Sequence, residues 1–128
     1  MILDSSAVIA ILCREPGYEL LVRKIGAARI ILIGAPTLAE TQLALTVKLQ
    51  RDSSALVEQF LNEIQATVIP FGREHVSVFF TAFTTYGRGR HPARLNMGDC
   101  FTYATAKVAQ LPLLFVGTDF PLTDLELA

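Results

Sequence analysis

The chain has 128 residues, 52% of them hydrophobic and 18% charged, with a formal net charge of −1. That length suits one domain, here residues 1–128, able to bury roughly two-thirds of its unfolded surface. Its longest unbroken apolar run, Ala7 to Cys13, falls far short of the about 20 residues a spanning helix needs, and no basic segment precedes it as in a signal peptide.

Met1 to Asp4 reads as a short buried strand ending in an acid, and Ser5 or Ser6 can cap the apolar helix expected over about 6–13. Glu15-Pro16-Gly17 breaks that helix, and Tyr18, Leu21, Val22 and Ile25 mark an amphipathic one ended by Gly26. A strand is predicted over 29–33. Pro36 and Thr37 open a helix running to about Gln50, with Glu40 near its start. Asp52-Ser53-Ser54 caps a fourth helix with a stripe of Leu56, Val57, Phe60, Leu61 and Ile64.

Thr67 to Ile69 is the next strand, followed by a helix whose predicted core face is Val76, Phe79, Phe80 and Phe83. Tyr86 to Leu95, YGRGRHPARL, is a polar, basic, glycine-containing loop. A helix over about 98–110, a strand over 113–116 and a short strand near 125–127 complete the chain. Strands that are near-continuous apolar runs, alternating with helices, describe a mostly parallel sheet covered on both faces. The expected fold class is α/β, a three-layer α/β/α sandwich.

Cys13 and Cys100 lie in apolar helical stretches and read as buried thiols of a cytoplasmic protein, not as a disulfide framework. The chemistry lies in the acids. Asp4, Glu40, Asp99 and Asp119 each interrupt an apolar or small-residue stretch, with no Lys or Arg beside any of them. Burying a lone carboxylate costs several kcal/mol, roughly, unless it is paired or holds a metal. Asp4 and Asp119 follow strands, and ligands bind beyond the carboxyl ends of strands in such sheets. If the four converge, the natural occupant is Mg²⁺ or Mn²⁺, and the chemistry is metal-assisted hydrolysis of a phosphodiester. Each acid also has an ordinary role open to it: Asp4 as a helix cap, Glu40 as a solvated helix residue, Asp99 in a capping box with Asn96, Asp119 in a turn. Asp124 reads as an exposed residue or a cap.

Setting the four aside leaves 8 acids against 11 Lys and Arg, so the near-neutral total conceals a basic remainder. Arg88, Arg90 and Arg94 surround the turn just before Asp99 and are candidates for contact with an RNA backbone. His91, followed by Pro92, is expected to hydrogen-bond within the loop. Tyr86 is the candidate for base stacking, whereas the phenylalanines follow helical spacing and read as core. Two other α/β readings fail. A receiver domain wants a paired acid after the first strand, and an Asp-nucleophile phosphatase wants one at the position held by Ser6.

The stretches MILDSSAVIAIL, APTLAE, YGRGRHPARLNMGDC and LLFVGTDF, in that order, resemble the PIN-domain ribonucleases and most of all the VapC toxins of type II toxin–antitoxin modules. The likeness runs from residue 1 to about 127, and RHPARLNMGDCFTYATAK is its most specific part. It implies that Asp4, Glu40, Asp99 and Asp119 are the metal-binding catalytic acids, that Ser6 supports the site by hydrogen bonding, and that Asn96 shapes the loop before the third acid. Ser5 stands where the family commonly has Thr. The resemblance further implies Mg²⁺- or Mn²⁺-dependent endonucleolytic cleavage of RNA of the tRNA or rRNA class, a homodimer, and inhibition by a cognate antitoxin packed on the toxin helices. For that partner the expected groove is formed by Ile11, Leu12, Leu20, Leu21 and Leu45. The competing reading is a non-catalytic module that only docks RNA or a partner.

Overall fold

A computed structural model describes residues 1–128. Four short parallel strands form the sheet: β1 (Ile2–Leu3), β2 (Leu32–Gly34), β3 (Thr67–Ile69) and β4 (Leu113–Leu114), in the order β3-β2-β1-β4. Around them run α1 (Ser5–Leu12), α2 (Tyr18–Ala27), α3 (Ala35–Leu49), α4 (Ser54–Glu63), α5 (Arg73–Tyr86) and α6 (Met97–Ala109), with a 3₁₀ turn at Phe120–Leu122. Ile2 pairs with both Leu32 and Leu113, so β1 is central.

The side-chain period of two along each strand divides the core. Leu3, Ile33 and Leu114 join the α1, α2 and α4 side chains on one face, while Ile2 and Leu113 join α5 and α6 on the other. The expected α/β/α layering is therefore present, with an all-parallel sheet. No helix is long and apolar enough to cross a membrane. Cys13 and Cys100 are both free thiols.

Several expectations are corrected. The second strand begins at Leu32, not Arg29, and Ile30 is exposed beside the chain's amino terminus, which donates to its carbonyl. Gly26 does not end α2; the helix continues to Ala27. The last strand is a single bridge between Leu113 and Leu127. In α5 the apolar residues fall on two stripes at helical spacing, and the core takes the one with Val78, Phe79, Ala82 and Tyr86. Ala82 is fully buried where α5 lies along α6, so a small side chain marks the contact and leaves Val76, Phe80 and Phe83 outside. Tyr86 is correspondingly no free stacking platform; its ring packs 5.7 Å from Tyr103 and edge-on to His91 at 5.1 Å. The supposed groove also dissolves in part, because Ile11, Leu21 and Leu45 belong to the core.

Candidate active site

Asp4 leaves the carboxyl end of β1 as the N-cap of α1, so its structural and chemical readings coexist in one side chain. It is almost wholly buried, yet fully hydrogen-bonded. One carboxylate oxygen accepts from the Ser6 amide at 3.0 Å and the Ser6 hydroxyl at 2.5 Å, the other from the Thr102 hydroxyl at 2.9 Å. Having donated to Asp4, Thr102 can accept from Thr37, whose hydroxyl lies 3.1 Å away on α3. The Ser6 oxygen in turn accepts from the Val116 amide at 2.9 Å, which fastens the exit of β4 to the start of α1. Ser6 therefore ties the Asp4 carboxylate to the exit of β4.

Asp99 occupies the third position of α6. Its amide donates to Asn96 Oδ1 at 3.0 Å while its carboxylate accepts from the Asn96 amide at 2.8 Å, completing the capping box. Burial pushes the Asp99 carboxyl up to about 6; the Asn96 amide opposes the rise, and the charges of Asp4, Asp119 and Glu40 add to it. Glu40, on the first turns of α3, is also raised, by burial and then by Asp4, with the Ser5 hydroxyl opposing. Asp119 sits exposed in the loop after β4, just before the 3₁₀ turn anchored by buried Phe120. Gly117 turns that loop at φ +132°, backbone a side chain would rarely adopt.

All four acids thus lie on the carboxyl edge of the sheet, near enough that three of them raise the proton affinity of Asp99. No Lys or Arg forms an ion pair with any of them. The side chains do not make a ready three-ligand cage as they stand. The donor set nevertheless fits a hard divalent cation: oxygen only, unpaired, and mutually repelling without one.

Three residues at the site carry no signal in the sequence alone. Thr102 and Thr37 are buried hydroxyls; 102 lies three residues from Asp99 and 37 three from Glu40, a helical spacing that puts each hydroxyl on the face of its acid. Gly98 is the third. A Cβ there would overlap the Glu40 carboxylate, so the absence of a side chain is what admits Glu40 to the start of α6. Asp124 stands apart from the site, bound to Tyr103 at 2.6 Å and Lys107 at 2.8 Å.

Arg88, Arg90 and Arg94 are exposed on the loop joining α5 to α6. His91 bonds within that loop as expected, its Nδ1 accepting from the Ala93 amide at 3.1 Å.

A parallel sheet with acids gathered at its carboxyl edge defines the architecture, and the PIN domain family model matches residues 1–125. The chain belongs to the PIN-domain family, among its VapC members. It is 43% identical over 127 residues to Ribonuclease VapC36 of Mycobacterium tuberculosis, covering 98% of this chain and 91% of that one. Among solved structures it resembles VapC20 of M. tuberculosis, a toxin that cleaves the sarcin–ricin loop, with a TM-score of 0.77 at 9% identity over 97% of this chain and 95% of the other. It also resembles a chain of a toxin–antitoxin complex from Klebsiella pneumoniae, with a TM-score of 0.65 at 16% identity, covering 88% and 82%. At those identities the structures speak to the fold alone.

Proposed function

We propose that this protein is a divalent-metal-dependent endoribonuclease, the toxin of a toxin–antitoxin pair, with Asp4, Glu40, Asp99 and Asp119 as its metal-binding acids. The observation carrying this reading is that three acids from three other segments lie close enough to Asp99 to raise its carboxyl, with no protein cation paired to any of the four. Mg²⁺ or Mn²⁺ held there would offset the negative charge, promote attack of water on a phosphodiester and stabilise the departing oxygen. The protein's own part is positional. Asp4 is fixed by Ser6 and Thr102, Asp99 by the Asn96 capping box, and Glu40 by the space left at Gly98. The relatives named ribonucleases favour this over a non-catalytic module.

The antitoxin surface we assign runs along α3. Leu43 and Val47 are 66% and 70% exposed and follow Glu40 on its helical face, and Leu20 on α2 is 50% exposed. An apolar segment lying there could deliver a basic side chain to the acids. RNA is the proposed substrate and a homodimer the proposed assembly, both in the cytoplasm.

The test is cleavage of RNA by purified, antitoxin-free protein, with Mg²⁺, with Mn²⁺ and with chelator, alongside Asp4→Asn and Asp99→Asn. Cleavage should require the metal and fall by about 10² or more in either variant. Metal should also raise the melting temperature, adding roughly 2.7 kcal/mol at a hundred times its dissociation constant. Cleavage in chelator, or variants as active as the parent, would overturn the assignment.

A further inference from the structure

A threonine inside a helix commonly returns its hydroxyl proton to its own backbone. Thr41, Thr81, Thr84 and Thr105 all do so, each donating to the carbonyl four residues back. Thr37 and Thr102, both buried, do not. Their hydroxyls turn across the seam between α3 and α6 and meet at 3.1 Å. Gly34, where β2 passes into α3, permits the approach, because a Cβ there would lie only 2.7 Å from Thr105 Oγ1.

The direction of the protons follows from what each group can do. A carboxylate only accepts, and a hydroxyl has a single proton to give. Thr102 gives its proton to Asp4 Oδ1 at 2.9 Å, so in its contact with Thr37 it is the acceptor. Thr37 is therefore the donor. The result is a two-hydroxyl chain, Thr37 to Thr102 to Asp4, polarised toward the acid, and each bond in such a chain strengthens the next. It ties together the exit of β1, α3 and α6, the elements that carry Asp4, Glu40 and Asp99.

The donor count also fixes what Asp4 has left to offer. Ser6 supplies two bonds and Thr102 one, against roughly four lone-pair directions on a carboxylate, which leaves one contact for a cation. Groups that hydrogen-bond a ligating carboxylate set its orientation and its basicity.

We propose that Thr37 is a positioning residue for the metal site: by donating to Thr102 it keeps the Thr102 proton on Asp4 and so sets the affinity of the acids for a divalent cation. The proposal rests on the metal-dependent reading above and extends it to a side chain that hydrogen-bonds to none of the acids.

The test measures metal directly, without RNA. Mn²⁺ is titrated into the whole chain, and the free ion is followed by electron paramagnetic resonance. Thr37→Val removes the hydroxyl at nearly constant shape and should weaken Mn²⁺ binding by about tenfold, with Thr37→Ser restoring it to within about twofold. Thr37→Ala, carried alongside, should weaken binding as Thr37→Val does and guards against a valine methyl that disturbs the seam. Thr41→Val is the control. It removes an equally buried hydroxyl one turn further along α3, bonded to its own backbone, and should leave Mn²⁺ affinity unchanged whatever it does to the melting temperature. In RNA cleavage, Thr37→Val should need about tenfold more metal for its half-maximal rate and approach the parent's rate at saturation. Thr37→Val and Thr37→Ala binding Mn²⁺ like the parent, Thr37→Ser failing to restore it, or Thr41→Val weakening it equally would each overturn the inference. A parent that binds no Mn²⁺ would sink the metal reading itself. A parent that binds it, beside Thr37 variants that bind it as tightly, would sink the positioning role alone.

Discussion

Asp4 takes its hydrogen bonds partly from Thr102, 98 positions along the chain, and the Ser6 that holds it is joined to Val116, 110 positions away. In the basic loop, the backbone donors from Arg88 to Leu95 that are engaged find acceptors between Tyr86 and Leu95. One region is therefore built from distant segments and the other from its own neighbours. The acids repel and are held together by the fold, whereas the arginines stand in solvent, where the cost of like charge is small. Damage should follow the same division: long-range effects at the acid edge, local ones at the loop and outer helices.

Gly98→Ala attacks the acid edge most directly. Its methyl group displaces Glu40, and cleavage should fall by about 10² while the melting temperature changes little, as expected when a reacting group is moved by about an ångström. Unchanged turnover would show that Glu40 needs no place beside α6. Thr102→Val follows. It strips one donor from buried Asp4 and leaves Thr37 without its partner, which should cost about 1–3 kcal/mol in urea denaturation, with Thr102→Ser recovering most of it. A neutral Thr102→Val would mean that Asp4 does not depend on α6.

The third effect is electrostatic. Because folding lifts Asp99 to about 6, the folded protein holds more protons than the unfolded chain between the ordinary carboxylate range and that value. Metal-free stability should therefore decline as pH rises through that window, with the penalty complete above about pH 6. Asp99→Asn keeps the capping acceptor and removes the charge. It should stabilise the metal-free protein at about pH 7.5 by ~1–2 kcal/mol, discounted for partial exposure, and not at about pH 4. Glu40 is raised as well, so the variant keeps a shallower slope; an identical slope would contradict the crowding. Smallest of all, Leu43→Ser with Val47→Ser should change stability by less than about 0.5 kcal/mol each, while weakening capture by the cognate antitoxin in a pull-down. Full retention of capture would move the partner surface elsewhere.

Much of the fold was legible because strands and helices here announce themselves locally. Strand-like runs at 1–3, 67–69 and 113–116 (the last ending at Leu114 in the fold) and the breaks at Pro16 and Gly17 are properties of short windows. So is the Asn96 capping box, whose two partners lie three residues apart. The errors share a different origin. α5 carries two apolar stripes, and only contact with α6 chose the one containing Ala82 over the one containing Phe80. Leu21 and Leu45 look like groove residues in the sequence because nothing local shows how much core the opposing elements fill.

The chain order of its residues thus settled, unaided, which acids interrupt apolar context, where the basic turn falls, and that the sheet is parallel. Folding alone decided that Thr102 would reach Asp4, that Gly98 would make room for Glu40, and that Phe83 would meet Arg90 in solvent. Those contacts depend on the distance and angle between packed elements, quantities that no local spacing encodes.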